Sequence, residues 1–210
     1  MIPKEVSASS VKELREKTGA GVMDCKKALA ECGGNLEKAV DYLRRKGLTA
    51  AVRKTGRVAA EGLVGAYIDA GRKIGVMVEL NCETDSAART AEFQSLLKDL
   101  AMQVAAASPR YVRREDVSPE ELTREQEIYR RQALDSGKPE KVADKIVEGK
   151  MEHFYSEACL LEQAFIKDPD RKVGDLIQEA VARLGEKVQV RRFMRYQVGE
   201  GIEKPEHIAK

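Results

Sequence analysis

The hydrophobic positions change period along the chain, and the changes mark its parts. From residue 10 to 47, apolar side chains recur at helical spacing in three short runs. Val11, Leu14 and Thr18 share one side of the first, which Ser10 and Glu13 open as a capping box. Gly19-Ala20-Gly21 interrupts it. A second helix, expected over about Val22–Glu31, carries Met23, Cys25, Ala28, Leu29 and Cys32 toward a common core and stops at Gly33-Gly34. Asn35 caps a third, with Leu36, Ala39, Val40 and Leu43 at i, i+3, i+4, i+7 spacing and Gly47 as its stop. Three such helices make a minimal bundle over residues 1–47.

Beyond residue 61 the period falls to two. Leu63–Ile68, and Ile74, Val76, Val78 and Leu80 alternating with Gly75, Met77 and Glu79, read as a β-hairpin turned by Asp69-Ala70-Gly71-Arg72, with Gly71 available for positive φ. Val188, Val190, Met194, Tyr196 and Val198 share one parity, interrupted by Arg192, and predict a third strand that returns from far along the chain. Helices fill the interval. Phe93, Leu96, Leu97, Leu100, Val104 and Ala105 form a wide stripe that ends at Pro109. Ser118-Pro119-Glu120-Glu121 opens another helix, with a Ser cap, Pro at the first position and acids in the first turn. That helix runs to about Asp135; Ser136-Gly137-Lys138 reverses the chain, and Pro139 starts a partner that extends toward Tyr155. Their apolar positions are few, Leu122, Tyr129 and Ala133 against Val142, Ile146 and Met151, so the hairpin over about 119–155 must lean on a core or a partner. A last helix carries Val173, Leu176, Ile177, Ala180, Val181 and Leu184 and stops at Gly185. The fold class expected is α+β: the three-helix part, a linker at 48–60, then residues 61–210 as an antiparallel sheet packed with helices and a protruding helical hairpin.

Composition narrows the partners. The chain has 210 residues, 42% of them hydrophobic, and its 37 basic and 35 acidic side chains leave a net charge of +2. That balance speaks against a dedicated nucleic-acid binder. One stretch argues the other way: Arg44, Arg45, Lys46, Arg53, Lys54 and Arg57 follow one another without an acid, and a ribosome-associated or RNA-binding protein using residues 44–57 is the rival reading. The longest run without a charge, Leu100 to Pro109, is ten residues, half of the roughly 20 that a membrane helix needs. No apolar segment follows Met1-Ile2-Pro3-Lys4-Glu5, so a cytoplasmic protein is expected. Cys25, Cys32, Cys82 and Cys159 include no pair at zinc-ribbon spacing, and only His153 and His207 could add imidazole, so the thiols are expected reduced and no metal site is expected.

The residues offer little to an active site. Gly19-Ala20-Gly21 lacks the following Gly-Lys-Ser/Thr and the preceding strand of a phosphate loop. Neither histidine is placed by the pattern beside a nucleophile, and Glu83 and Asp85 have no second acid facing them. A binding protein without a cofactor, rather than an enzyme, is the reading, with Glu83-Thr84-Asp85-Ser86-Ala87 displayed where a strand meets a helix.

Thr18-Gly19-Ala20-Gly21-Val22-Met23-Asp24-Cys25-Lys26-Lys27-Ala28-Leu29 resembles the N-terminal signature of bacterial elongation factor Ts, and Glu79-Leu80-Asn81-Cys82-Glu83-Thr84-Asp85 resembles its second signature. The likeness continues, in family order, through Ser136-Gly137-Lys138-Pro139, Val147-Glu148-Gly149-Lys150-Met151 and Val198-Gly199-Glu200-Gly201. The resemblance implies a ubiquitin-associated-like three-helix domain, a single core subdomain as in the short class, and a homodimer. It also implies guanine-nucleotide exchange on elongation factor Tu, in which Mg²⁺ is displaced and GDP leaves while the factor makes and breaks no bond. Val22 and Met23 match positions that touch the GTPase, and Lys26, beside them in the signature, is expected as an ionic contact. The family's Thr-Asp-Phe-Val segment, associated with dislodging Mg²⁺, falls on Thr84, Asp85, Ser86 and Ala87, so the aromatic wedge and its neighbour are here Ser and Ala.

Overall fold

A computed structural model describes residues 7–18, 20, 22–54, 58–137 and 139–202. Three helices come first, α1 (Ala8–Thr18), α2 (Val22–Glu31) and α3 (Leu36–Lys54). Leu14, Cys25, Ala28, Leu29, Ala39 and Leu43 close a small core between them. The expected Asn35 cap is present: its Oδ1 accepts from Lys38 N–H at 3.0 Å, while Gly33 and Gly34 end α2 with φ of 61° and 81°. Three expectations change. The cap of α1 is Ser7, whose Oγ accepts from Ser10 N–H at 3.1 Å, so the helix begins before the Ser10 capping box. Met23 points away from the bundle and is 76% exposed. Gly47 does not stop α3, which runs on to Lys54. A mid-helix Gly costs only about 1 kcal/mol relative to Ala, and α3 lies against a later helix, Val173–Leu184, as well as against α1 and α2. The Gly19 and Gly21 turn, Lys138, Arg57 and His207 lie outside the described residues, as do the side chains of Lys46, Arg53 and Lys54.

The chain continues through β1 (Glu61–Ile68), β2 (Ile74–Cys82), α4 (Asp85–Ala88), α5 (Ala91–Ala107), α6 (Pro119–Asp135), α7 (Glu140–Ala158), β3 (Ala164–Phe165), β4 (Asp168–Lys172), α8 (Val173–Leu184) and β5 (Gln189–Gln197). This is an α+β fold. Its main sheet is antiparallel in the order β1-β2-β5, so the returning strand pairs with the second strand. The hairpin turn rests on Asp69, whose carboxylate accepts from the N–H groups of Gly71, Lys73 and Ile74 at 2.6 to 3.0 Å. Positive φ there falls on Arg72, at 54°, and not on Gly71.

One face of the sheet is buried under α5 and α8, where Val76, Val78, Leu80, Phe93, Leu100 and Val181 share the main core. Gly65 admits α5 at close range: a Cβ there would lie 2.6 Å from Leu97 Cγ. The single parity expected for β5 does not hold. Leu80 pairs with Val190 and Glu79 with Arg192, leaving Arg191 as an extra residue in a bulge. Such an insertion moves every later side chain to the opposite face. Val188 and Val190 are buried and Phe193 packs against the core, while Met194, Tyr196 and Val198 are exposed.

The α6/α7 hairpin begins as expected, with Ser118 Oγ accepting from Glu121 N–H at 3.2 Å. It leans on a third cluster at its base, Val117, Met151, Phe154, Ala158 and Cys159. Arg114, in the short turn before α6, donates to both oxygens of Glu152 at 2.8 and 2.7 Å and to Glu162 at 2.8 Å. These bonds hold both carboxyls below their ordinary value of 4.5. Val142, expected to face α6, is exposed, and Ala143 is buried in its place. Among the described residues no helix is long and apolar enough to cross a membrane.

Candidate functional site

The expected contact residues sit on two elements. On α2, the buried stripe Cys25, Ala28 and Leu29 turns the first turn outward, so that Val22 (48% exposed), Met23 and Lys26 stand in solvent. Lys26 lies four residues after Val22 and three after Met23, so all three occupy one patch of helix surface. An apolar pair beside a cation is thus exposed on a helix whose other side is closed by the bundle core.

The second element is the turn between β2 and α5. Thr84 is extended, with φ −131° and ψ 149°, and caps α4: its Oγ1 accepts from Ala87 N–H at 3.3 Å. Thr90 then caps α5, accepting from Phe93 N–H at 3.2 Å and donating to the Ala87 carbonyl at 2.7 Å. Two capped helix starts follow one another within seven residues, 84–90. Ala87 and Ala88 are buried and attach α4 to the core, while Thr84, Asp85 and Ser86 face out. The four residues of the segment are therefore together in space, but Ala87 is a packing residue and only three are displayed.

The carboxylates Glu83 and Asp85 point to different partners. Asp85 pairs with Arg89 one turn on, Oδ2 to Nε at 2.7 Å, and Glu83 accepts from Lys187 N–H at 2.6 Å. Glu186, beside Lys187, accepts from the Thr84 N–H at 3.0 Å and from the Thr84 hydroxyl at 2.7 Å. Burial, with the Glu186 charge nearby, raises the Cys82 thiol above its ordinary 9.0. It stays an S–H donor, 3.1 Å from the Thr84 carbonyl oxygen. Neither Glu186 nor Arg89 stands out in the sequence. Arg89 has a local signal, the i, i+4 spacing from Asp85; Glu186 has none, since its partner is 102 residues away.

Cys25, Cys82 and Cys159 are buried, Cys32 is half-buried, and all four are free thiols. No group of three or more His, Cys, Asp or Glu that could hold a metal occurs among the described residues. A cavity of about 490 Å³ opens between the ends of α5 and α7, lined by residues that include Ser108, Arg110, Phe154, Glu157 and Gln163. None of the expected site residues lines it.

A three-helix domain with an outward apolar patch, joined to a sheet that ends in a capped and displayed turn, defines an α+β protein. Comparison with known sequences narrows the class. The family model described as elongation factor TS matches residues 6–200, and the chain belongs to that family. Elongation factor Ts of Desulforamulus reducens is 62% identical over 200 residues, covering 95% of this chain and 92% of the relative. Those of Desulfitobacterium hafniense and Moorella thermoacetica are 60% and 61% identical, covering 96% and 94% of this chain and 93% and 97% of the relatives.

Proposed function

We propose that the chain is the guanine-nucleotide exchange factor of translation elongation. It binds elongation factor Tu in the GDP form, in the cytoplasm, and promotes displacement of Mg²⁺ and release of GDP so that GTP can enter. The observation that carries this reading is the presentation of Asp85 and Ser86 on a turn whose other side is anchored in the core. The N-terminal three helices, read as ubiquitin-associated-like, supply contact area through Val22, Met23 and Lys26. Thr84, Asp85 and Ser86, backed by Ala87, reach toward the magnesium site.

Exchange of this kind is linkage and not bond chemistry. A factor that binds best to the form of its partner with a disturbed magnesium site lowers nucleotide affinity, and nucleotide lowers the factor's affinity by the same ratio. Ser86 removes the area an aromatic wedge would bring, so displacement here relies on Asp85, held in place by Thr84, and on binding energy from the α2 patch. The test is stopped-flow release of fluorescent GDP from elongation factor Tu, expected to accelerate with added chain. No acceleration, together with salt-steep binding of RNA, would replace this reading with the RNA-binding one based on residues 44–57.

Pairing of two copies belongs to the same proposal. The outer face of the sheet carries Val64, Ile68, Met77, Met194 and Tyr196, all more than half exposed. Ala66, Met77 and Met194 lie in register across the three strands. Exposed apolar faces of this kind commonly mark interfaces. Light scattering is expected to give twice the 23.3 kDa chain mass; a monomer at micromolar concentration would refute the pairing.

A further inference from the structure

The end of β2 and the turn after α8 grip one another through a reciprocal exchange. Gly185, with φ 75°, ends α8 and delivers Glu186 and Lys187 to the Glu83–Thr84 segment. Glu186 receives both the N–H and the hydroxyl proton of Thr84, while Glu83 receives the N–H of Lys187. The Thr84 carbonyl is engaged as well, by Cys82 Sγ and by Ala88 N–H at 3.3 Å. Every polar group of Thr84 is thus committed. With its single proton given to Glu186, the hydroxyl keeps its lone pairs for the Ala87 N–H that caps α4.

A helix of four residues has no stability of its own, so the direction in which α4 presents Asp85 and Ser86 is set by these bonds and by the buried alanines. We propose that Glu186 is a positioning residue for nucleotide exchange: its bidentate hold on Thr84 fixes the orientation in which Asp85 and Ser86 meet the partner. The inference rests on the exchange reading above and adds a residue to it. Glu186 acts through Thr84, and its contribution is preorganisation, realised when the turn enters the partner's site.

The experiment measures GDP release from elongation factor Tu against factor concentration, for the unmodified chain, Glu186→Ala, Glu186→Gln, Thr84→Val and the double variant Thr84→Val/Glu186→Ala. Glu186→Ala is expected to lower the rate at saturation about tenfold, the scale of losing charge-assisted hydrogen bonds. The half-saturating concentration should move less than about twofold, because the α2 patch is untouched. Glu186→Gln keeps one acceptor oxygen and should fall between. The double variant should be far less impaired than the product of the two single effects. Amide hydrogen exchange on the free chain should quicken at 84–88 while β2 and α5 stay protected. An unmodified chain that accelerates release, beside Glu186 variants with the full saturating rate and unaltered exchange at 84–88, overturns the positioning role alone. An unmodified chain that does not accelerate release overturns the exchange reading and this inference with it. Saturation removes any loss due to a smaller folded fraction, and Glu186→Gln, close in shape, serves if the alanine variant fails to fold.

Discussion

On α2, Val22 and Met23 stand in solvent while Cys25, Ala28 and Leu29 close the core beneath them; on α4, Ala87 and Ala88 are buried while Thr84, Asp85 and Ser86 face out. Both elements divide into an anchored side and a displayed side, but the anchoring differs. The six buried residues behind α2 all fall between Leu14 and Leu43, so the patch is supported by its own neighbourhood. The α4 turn packs on β1, β2 and α5, its neighbours in the chain, but it is also held by the hydrogen bonds that Thr84 donates to Glu186, 102 residues away. The displayed side chains of α2 can therefore be altered with little effect on folding. Around α4, support and presentation are coupled.

The sharpest way to break this comparison is Met23→Glu. A charge placed where an apolar contact is buried on binding should weaken affinity for elongation factor Tu by roughly 2 kcal/mol or more, about 30-fold. The melting temperature should not move, because Met23 touches no core. Calorimetric titration and thermal melting decide it; a fall in melting temperature would return Met23 to the bundle core where its spacing first put it. Ala88→Leu is the matching change at the other element. Ala88 is fully buried, and overpacking there should cost about 1–3 kcal/mol of stability and lower the saturating exchange rate together with it. Normal stability with a normal rate would mean that α4 tolerates displacement and is not anchored as described.

What could be read in advance follows from how locally each feature is determined. The three N-terminal helices, α5, α6 and α8 declare themselves through apolar spacing and caps such as Asn35, Ser118 and Gly185, all decided within a few residues. Met23 faces solvent although its spacing predicts the core, because a single apolar residue at helical spacing fits a core face or an exposed face equally well. The second half of β5 was turned over by one bulged residue, Arg191, whose presence depends on the partner strand. The helix at Gly47 continues because α3 has a neighbour that no local signal announces. At the site, Thr84 to Ala87 could be located by resemblance, whereas the clamp from Glu186 could not, since nothing near residue 186 points to residue 84.

Ser86→Phe sharpens the comparison from the other direction. The position is exposed and on the displayed side of α4, so an aromatic ring there should add contact area only in the complex. The saturating rate of GDP release should rise about threefold to tenfold, the low end of what a buried aromatic anchor contributes, at unchanged melting temperature. An unchanged or slower rate would sink the wedge explanation and leave displacement to Asp85 on the turn that Thr84 holds.

Lys26→Ala is the mildest change and tests whether the α2 patch is more than apolar. Lys26 is exposed and adjacent to Val22 and Met23 on the helix surface, so it would lie at the rim of the contact. Rim charges add little affinity in water but guide encounter. Affinity should fall by about 0.5 kcal/mol, roughly twofold, chiefly through slower association, with no change in melting temperature. The difference from the unmodified chain should shrink as salt is raised, since screening removes the interaction of exposed charges beyond about 8 Å at physiological ionic strength. Met23→Glu should keep most of its effect at the same salt, because the loss of buried apolar contact is not screened. If the two variants respond to salt alike, the patch acts as one electrostatic surface, and the contrast between an area-driven α2 contact and an orientation-driven α4 contact does not stand.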